Sequence, residues 1–173
     1  MNRVLTLSSI ALGAALITAC ADPVAADPVT PNVEQSPVDQ GRYRVTQSAF
    51  DHDETLKRLL QAIDRRDLTV FATIDHQAGA ASVDLEMAPA TVVIFGAPQI
   101  GTALMQADPV MAAELPLRAA VFDDQDGATH LAVTSPASIG RAFPAVTAAE
   151  QARLDGIARN LRALSEEVTG NDG

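Results

Sequence analysis

The sequence is poor in cysteine and in aromatic residues. Its 173 residues include one cysteine, no tryptophan, one tyrosine and five phenylalanines. A single cysteine excludes an internal disulfide and a zinc site built from cysteine pairs. Because aromatic residues are few, the core has to be built from leucine, isoleucine, valine and alanine. Few rings are then available to stack on a planar cofactor. We therefore expect a domain without a cofactor and without a metal site.

Basic residues are also scarce. The chain carries 12 lysines and arginines against 22 aspartates and glutamates, which gives a formal net charge of −10. A surface of this sign repels the phosphates of nucleic acids and the headgroups of anionic lipids. Nucleic acid is therefore not expected as a partner. A chain of this length is expected to fold as one domain.

The single cysteine, Cys20, stands at the end of the first apolar stretch. A basic start, Met1–Arg3, precedes the apolar run Val4–Ile17. This is the layout of a secretory signal, and the run is shorter than the roughly 20 residues that span a membrane. It ends in Ile17-Thr18-Ala19-Cys20, which resembles the bacterial lipobox. The resemblance implies that residues 1–19 are a lipoprotein signal peptide and that Cys20 carries acyl chains, which anchor the protein in the membrane.

The residues after the cysteine predict a location and a tether. Residue 21 is alanine rather than aspartate, which resembles the sorting pattern of Gram-negative lipoproteins. We therefore expect an outer-membrane anchor with the domain facing the periplasm. The alternative is ordinary signal cleavage after Ala26 and release of a soluble periplasmic protein. Residues 20–40 contain four prolines and no aromatic residue, so they are expected to form a disordered tether.

Residues 41–170 have the periodicities of one α+β domain. Asp51 and Thr147 are each followed three residues later by glutamate, which predicts two helix starts. Alternating or continuous apolar residues predict strands over residues 42–47, 68–76, 91–95, 115–122 and 128–134. The order β-α-β-β-β-β-α favours an antiparallel sheet of about five strands with two main helices on one face.

Four ordered blocks resemble a bacterial family called domain of unknown function 302. The blocks are Phe71–His76, Val92–Pro98, Gly101–Met105 and Leu115–Arg118. With the flanking elements, the resemblance covers about residues 42–168. It implies an α+β fold similar to that of the TATA-box-binding protein, and it implies no established activity.

Three positions depart from the residues that are usual in this family. Alanine stands at Ala97 where asparagine is usual, and glutamate stands at Glu114 where aspartate is usual. Aspartate stands at Asp84, where glycine is frequent. The resemblance therefore implies a lost helix-capping side chain at Ala97 and a different turn at Asp84.

Asp75 and His76 form the pair that most resembles a catalytic couple, at the end of a predicted strand. Adjacent strand residues point to opposite faces, so the two side chains cannot bond to each other as acid and base. Alternation places His76 on the face of Val70 and Ile74. We therefore expect a half-buried, structural histidine, with a ligand or metal contact as the alternative. His130 stands alone in its strand and is expected at the surface or in an interface.

The sheet face away from the two helices is the candidate binding surface. Alternation assigns to it Phe71, Asp75, Phe95, Arg118, Phe122 and His130. A two-layer fold should leave this face polar, so an apolar centre indicates that something binds there. A second copy of the domain, forming a homodimer, is favoured over a small ligand because two-fold symmetry lets each copy offer the same patch. The alternative is that residues 98–114 fold over this face.

Two functions remain open at this point. The sequence contains no motif with an established mechanism, which favours a non-catalytic module that binds a small ligand or a protein at the cell envelope. The alternative is a metal-dependent or hydrolytic enzyme centred on His76. The ligand itself is not indicated by any residue pattern.

Overall fold

The computed structural model describes residues 41–135, 138, 140, 141 and 147–171 of the chain. The predicted signal peptide, Cys20 and the predicted tether lie outside these residues. The strands of the described part are β1 (Tyr43–Gln47), β2 (Thr69–Asp75), β3 (Ala90–Gly96), β4 (Leu117–Asp123) and β5 (Thr129–Thr134). Its helices are α1 (His52–Asp64), α2 (His76–Ala81), α3 (Pro98–Ala107), the 3-10 helix Pro109–Ala113 and α4 (Ala148–Thr169). None of these helices is long and apolar enough to cross a membrane.

The five strands form one antiparallel sheet in the order β1-β5-β4-β3-β2. The hairpin between β4 and β5 turns at Asp124–Gly127, as the sequence predicts, and places Ala119 opposite Val133. Ala119 also lies opposite Val93 of β3. β1 and β2 are the two edges of the sheet. The predicted α+β fold with a five-stranded antiparallel sheet is confirmed.

The core lies between the sheet and the two long helices. Val93 and Phe95 of β3 are fully buried, and they pack in one cluster with Leu59 of α1 and Leu164 of α4. Each large apolar side chain that is buried in this way stabilises the fold by about 1.5–3 kcal/mol. A register slip of one residue would expose this whole set, so the cluster also fixes the strand pairing.

Both long helices begin at the residues that the sequence predicts. The side chain of Asp51 accepts a hydrogen bond of 2.9 Å from the N–H of Glu54. At α4, the Thr147 hydroxyl accepts from the N–H of Glu150, and the Glu150 carboxylate accepts from the N–H of Thr147. These bonds satisfy N–H groups that the first turn of a helix leaves without an intrahelical partner.

A β-bulge interrupts the edge strand β2 at Phe71. Val70 pairs with Phe95, and the next pairing on β3 is already that of Ile94, so Phe71 is an extra residue on β2. A bulge shifts the alternation of side chains along the strand, and the predicted face from Val70 to His76 does not form. His76 is instead the exposed first residue of α2. The expectation of a half-buried strand histidine is therefore wrong.

Residues 98–114 pack on the helix side of the sheet. Leu104 of α3 and Met111 of the 3-10 helix are buried in the same cluster as the core of α1 and α4. The alternative that this segment folds over the opposite face is therefore wrong. We call the face away from α1 and α4 the open face.

The three departures from the family pattern have visible consequences. Ala97 is the N-cap residue of α3 and gives that helix no side-chain cap. Glu114 forms an ion pair of 3.0 Å with Arg42, which precedes β1. Asp84 adopts a φ of 58°, in the left-handed region that glycine enters without steric cost.

Candidate functional site

Asp75 and His76 shape the start of α2. Asp75 is the N-cap of this helix, and its Oδ1 accepts a hydrogen bond of 2.9 Å from the N–H of Ala78. The exposed ring of His76 makes no hydrogen bond to another described residue. No group of three or more His, Cys, Asp and Glu side chains in the described part is arranged to hold a metal ion. The pair therefore gives the enzyme hypothesis no acid–base couple.

The buried histidine of the sheet is His130. It is 8% exposed, its Nε2 lies 2.7 Å from Oδ2 of Asp124, and its ring stacks on Phe122 with 5.4 Å between centroids. The hydrogen bond to His130, followed by the one from the N–H of Ala128, holds the pKa of Asp124 below its usual range. These contacts tie the hairpin turn to its strands.

The open face contains only part of the residues predicted for it. Alternation with the buried side chains of β4 places Arg118 and Phe122 there, and His130 stands opposite Phe122. Phe95 is fully buried beneath the helices, so its assignment to this face is wrong. Phe71 is also assigned wrongly, because the bulge places it on the helix side, where it lines a cavity together with Phe95.

This cavity has a volume of about 660 Å³ and lies beside the edge strand β2. Its walls come from the ends of α1 and β3, from α3 and α4, and from the segment that enters β4. Most of the lining is apolar and includes Phe71, Phe95, Leu104, Met105, Ile157 and Leu161. Both the volume and the lining are typical of pockets that hold a small molecule.

The cavity has a buried floor and an apolar mouth. Phe95 and Leu104 are almost completely buried, whereas Phe71 is 52% exposed and Ile100 is 40% exposed. These two large side chains are about half exposed beside the apolar volume. Their exposure shows that the cavity is accessible from solvent on this side. On the α3 side, a Cβ atom added at Gly101 would lie 3.9 Å from the side chains that line the cavity there. A bulky residue at Gly101 would therefore occupy part of the volume.

The polar lining residues are Arg66, Asp67, Thr102 and Asn160. Arg66 donates to the carbonyl of Ala62 at 3.0 Å and to the carboxylate of Glu167 at 2.7 Å. The hydrogen bond from Arg65, together with that from Arg66, lowers the pKa of Glu167. These bonds join the end of α1 to α4 and fix one side of the cavity.

The order of strands and helices agrees with the α+β fold that the resemblance of the four sequence blocks implies. The family model for the domain of unknown function DUF302 matches residues 43–168. The chain belongs to the DUF302 family. The resemblance read from the sequence blocks is thereby confirmed over nearly all of the described residues.

A solved structure shows the same fold. The crystal structure of an uncharacterized conserved DUF302 protein from Bacillus stearothermophilus matches with a TM-score of 0.65 and 15% sequence identity. The match covers 73% of this chain and 97% of that chain. At this identity, the likeness concerns the fold alone.

Curated relatives match part of the DUF302 chain within a longer protein. Fluoride-specific ion channel FluC 1 of Brucella suis biovar 1 (strain 1330) is 36% identical over 100 residues, which are 58% of this chain and 39% of that protein. FluC 1 of Brucella abortus biovar 1 (strain 9-941) is also 36% identical over 100 residues, which are 37% of its length. The chain therefore spans less than half the length of these relatives.

The cavity of the DUF302 domain was not predicted from the sequence. Its lining residues come from segments between Arg66 and Leu161 that are far apart along the chain. The residue in the sequence that comes nearest to indicating the cavity is Phe71. It lies on the helix side of the sheet because of the β-bulge, which a regular strand would lack. The Asp124–His130 contact had a clearer signal, because the two residues flank a predicted hairpin turn.

Proposed function

We propose that this chain is a non-catalytic binding module of the bacterial cell envelope whose DUF302 domain holds a small apolar molecule beside β2. The observation that carries the proposal is the cavity of about 660 Å³ with apolar walls. Apolar walls that enclose a concave, solvent-accessible volume gain favourable contacts when an apolar molecule replaces the water there. An apolar cavity of this size at the edge of the core is therefore best explained by a ligand.

The location at the envelope rests on the first residues of the chain. A signal-like segment that ends in Ile17-Thr18-Ala19-Cys20 supports a lipid anchor at Cys20, with the outer membrane as the site and the periplasm as the surroundings. The proline-rich residues 20–40 would hold the domain away from the lipid surface. A soluble periplasmic protein is the alternative location for the same binding module.

The curated relatives agree with the proposal that the domain is a separate module. Proteins named fluoride-specific ion channels contain a matching stretch of 100 residues as 39% or 37% of their length. A stretch that recurs within longer proteins behaves as a separate building block. Fluoride is not included in the proposal, because the formal net charge of −10 disfavours the approach of an anion.

Two glycines allow a matched test of the cavity. Gly101 lies in α3 beside the cavity, whereas a Cβ atom at Gly79 in α2 would meet nothing within 4 Å. In the domain from residue 41 onward, we expect Gly101→Phe to weaken binding of the neutral apolar dye Nile red at least tenfold. Gly79→Phe should bind like the wild type, because its added ring points into open space. Gly101→Ala should also keep binding, because its methyl group makes only ordinary contacts.

Dye fluorescence and thermal unfolding are measured on all four proteins. Unfolding separates a filled cavity from a domain that has lost its fold. If folded Gly101→Phe binds the dye as tightly as the wild type does, the cavity is not the binding site. Absence of dye binding to the wild-type domain overturns the proposal as well.

A further inference from the structure

We infer that the outer edge of β2 takes an extended, basic segment of another protein as a sixth strand of the sheet. This surface goes beyond the proposed function, because it is the edge of the sheet rather than the cavity. The backbone groups along this edge have no partner in the described part of the chain. The charge at one end of the strand is negative, and it selects the chemistry of the partner.

The backbone of β2 is paired on one side only. Its neighbour in the sheet is β3, and no other described residue makes a hydrogen bond to the backbone of Val70–Ile74. Six of the seven residues of β2 are exposed, whereas one of the five residues of β1, at the other edge, is exposed. An edge strand of this kind can add an extended segment through its outward N–H and C=O groups.

β2 has few of the features that protect an edge from such pairing. It contains no lysine and no proline, and its bulge at Phe71 leaves Ala72–Asp75 in regular register with β3. Val70, Phe71 and Ile74 are 40%, 52% and 43% exposed. Val70 stands opposite Phe95 on the helix side, and Ile74 stands opposite Val92 on the open face. A strand added here would therefore cover apolar side chains on both faces of the sheet.

The end of β2 at Asp75 is negatively charged. Asp75 is the last residue of the strand, and Asp84 and Glu86 follow α2. The side chain of Gln77, in the first turn of α2, donates to the carbonyl of Met87 at 3.0 Å, so Glu86 lies near the start of this helix. All three carboxylates are exposed, and none forms an ion pair with a described residue.

The stretch of chain that carries these acids supplies almost no positive charge. Between Arg66 and Arg141 there are nine acidic residues and one basic residue, Arg118. Arg118 lies on β4, and β3 separates it from β2. Arg66 precedes the other end of β2, and the six residues of strand before Asp75 span about 20 Å, well beyond the screening length of about 10 Å in 0.1 M salt. Lysine or arginine on a partner would supply the missing charge.

A second copy of this chain is a poorer occupant of the edge. In a two-fold antiparallel pair, the Asp75 end of each β2 would meet the opposite end of the other β2. There Arg65 and Arg66 bind the single carboxylate of Glu167, and Asp67 adds a further negative charge. Two positive charges thus stand against two negative ones, so this end offers no net positive charge. A basic segment does offer one.

The experiment uses three synthetic peptides that share one apolar and threonine core. The lysine peptide is Lys-Lys-Thr-Val-Thr-Val-Thr-Lys-Lys with both ends blocked, and the glutamate peptide has glutamate in place of each lysine. The third is the lysine peptide with its five central amides N-methylated, which keeps the charge but cannot donate the hydrogen bonds of a strand. Binding to the full chain in a neutral detergent is measured by fluorescence polarisation.

We expect the lysine peptide to bind at least about fivefold more tightly than the glutamate peptide in 0.1 M salt, as one ion pair in water predicts. The preference should shrink in 1 M salt, which screens the charges. The N-methylated peptide should bind much more weakly than the lysine peptide. Absence of binding by the lysine peptide, equal binding of the lysine and glutamate peptides, or equal binding of the lysine and N-methylated peptides overturns the inference.

Hydrogen–deuterium exchange locates the peptide on the sheet. With the lysine peptide at ten times its Kd, the outward amides of β2 should exchange about tenfold more slowly, and those of β1, the other edge, should not change. Equal protection of both edges contradicts the inference. Protection of β2 that appears without peptide as the protein concentration rises shows that a second copy occupies the edge, and it also overturns the inference.

Two charge reversals decide whether the acids beside α2 select the partner. Glu86→Lys should reduce the preference for the lysine peptide by at least about fivefold. Asp53→Lys is the matched control, because Asp53 is an equally charged, fully exposed residue in the first turn of α1, and it should keep most of the preference. Circular dichroism checks that both variants are folded. An equal preference in the two folded variants shows that the acids beside α2 do not select a basic partner.

Discussion

Nε2 of His130 and Oδ2 of Asp124 lie 2.7 Å apart across the turn between β4 and β5. Oδ1 of Asp124 accepts further hydrogen bonds from the N–H groups of Asp126 and Ala128. One carboxylate therefore binds the turn and the following strand together. All of these bonds favour the ionised form of Asp124.

The Asp124 contact predicts how stability changes in acid. The hydrogen bond to His130 is the main cause of the lowered pKa of Asp124 in the folded chain. In the unfolded chain an aspartate has a pKa of about 3.9. The ionised carboxylate therefore stabilises the fold above that pH, and this contribution is lost as the pH falls through the lower pKa of the folded state. Asp124→Asn should make the acid-induced loss of stability shallower in urea unfolding between about pH 5 and pH 2.

Two variants serve as controls for the acid series. Asp126→Asn changes an exposed carboxylate of the same turn, and we expect it to keep the wild-type dependence on pH. His76→Ala removes an exposed histidine and should change the free energy of unfolding by no more than about 0.5 kcal/mol. An acid limb in Asp124→Asn that parallels the wild type would show that the carboxylate is not the cause.

The proposed lipid anchor at Cys20 predicts covalent labelling in cells. Growth with a fatty-acid analogue should label the wild-type protein, because a lipobox at Ile17-Thr18-Ala19-Cys20 would direct acylation to this thiol. Cys20→Ala should remove the label and leave the precursor uncut before residue 20. Labelling of both proteins, or a mature N-terminus at Asp27, would instead indicate ordinary signal cleavage.

Dimerisation through the open face stays a prediction, and the structure changes the residues that test it. Val92 lies in the middle of β3, opposite Ala120 and on the face away from the buried Val93. A two-fold dimer of the domain from residue 41 onward should become a folded monomer in Val92→Glu, because the carboxylate would lose its water in the interface. Light scattering measures the mass, and circular dichroism checks the fold. Ala152→Glu on the exposed side of α4 is the matched control, and a monomeric wild type at high concentration contradicts the prediction.

The sequence predicted those parts of the fold that depend on near neighbours. The caps at Asp51 and Thr147 and the turn after Asp124 each depend on residues within four positions along the chain. Such signals survive because local hydrogen bonds and turn conformations are set by the residues themselves. The order of the elements then follows from where they start and stop.

Sides of strands were predicted less well, for two different reasons. β3 is apolar on both faces, so alternation could not say whether Phe95 or Ile94 points to the helices; pairing with the half-buried β4 decides it. In β2, the extra residue Phe71 shifts the alternation, and no glycine or proline marks the bulge. The cavity followed from neither pattern, since it depends on how distant segments pack.

The first strand of the domain depends on the last helix. β1 pairs with β5, with Tyr43 opposite Thr134, and the N–H of Ala49 just beyond β1 bonds to the carbonyl of Thr169 at 2.9 Å. These contacts join residues separated by nearly the whole domain, so the entropy of closing that long loop must be overcome before β1 docks. A chain that emerges from its amino end cannot seat β1 until almost all of the domain has followed. The hairpin of β4 and β5 joins near neighbours, so we expect it to form earlier and β1 to complete the edge of the sheet as a late step of folding.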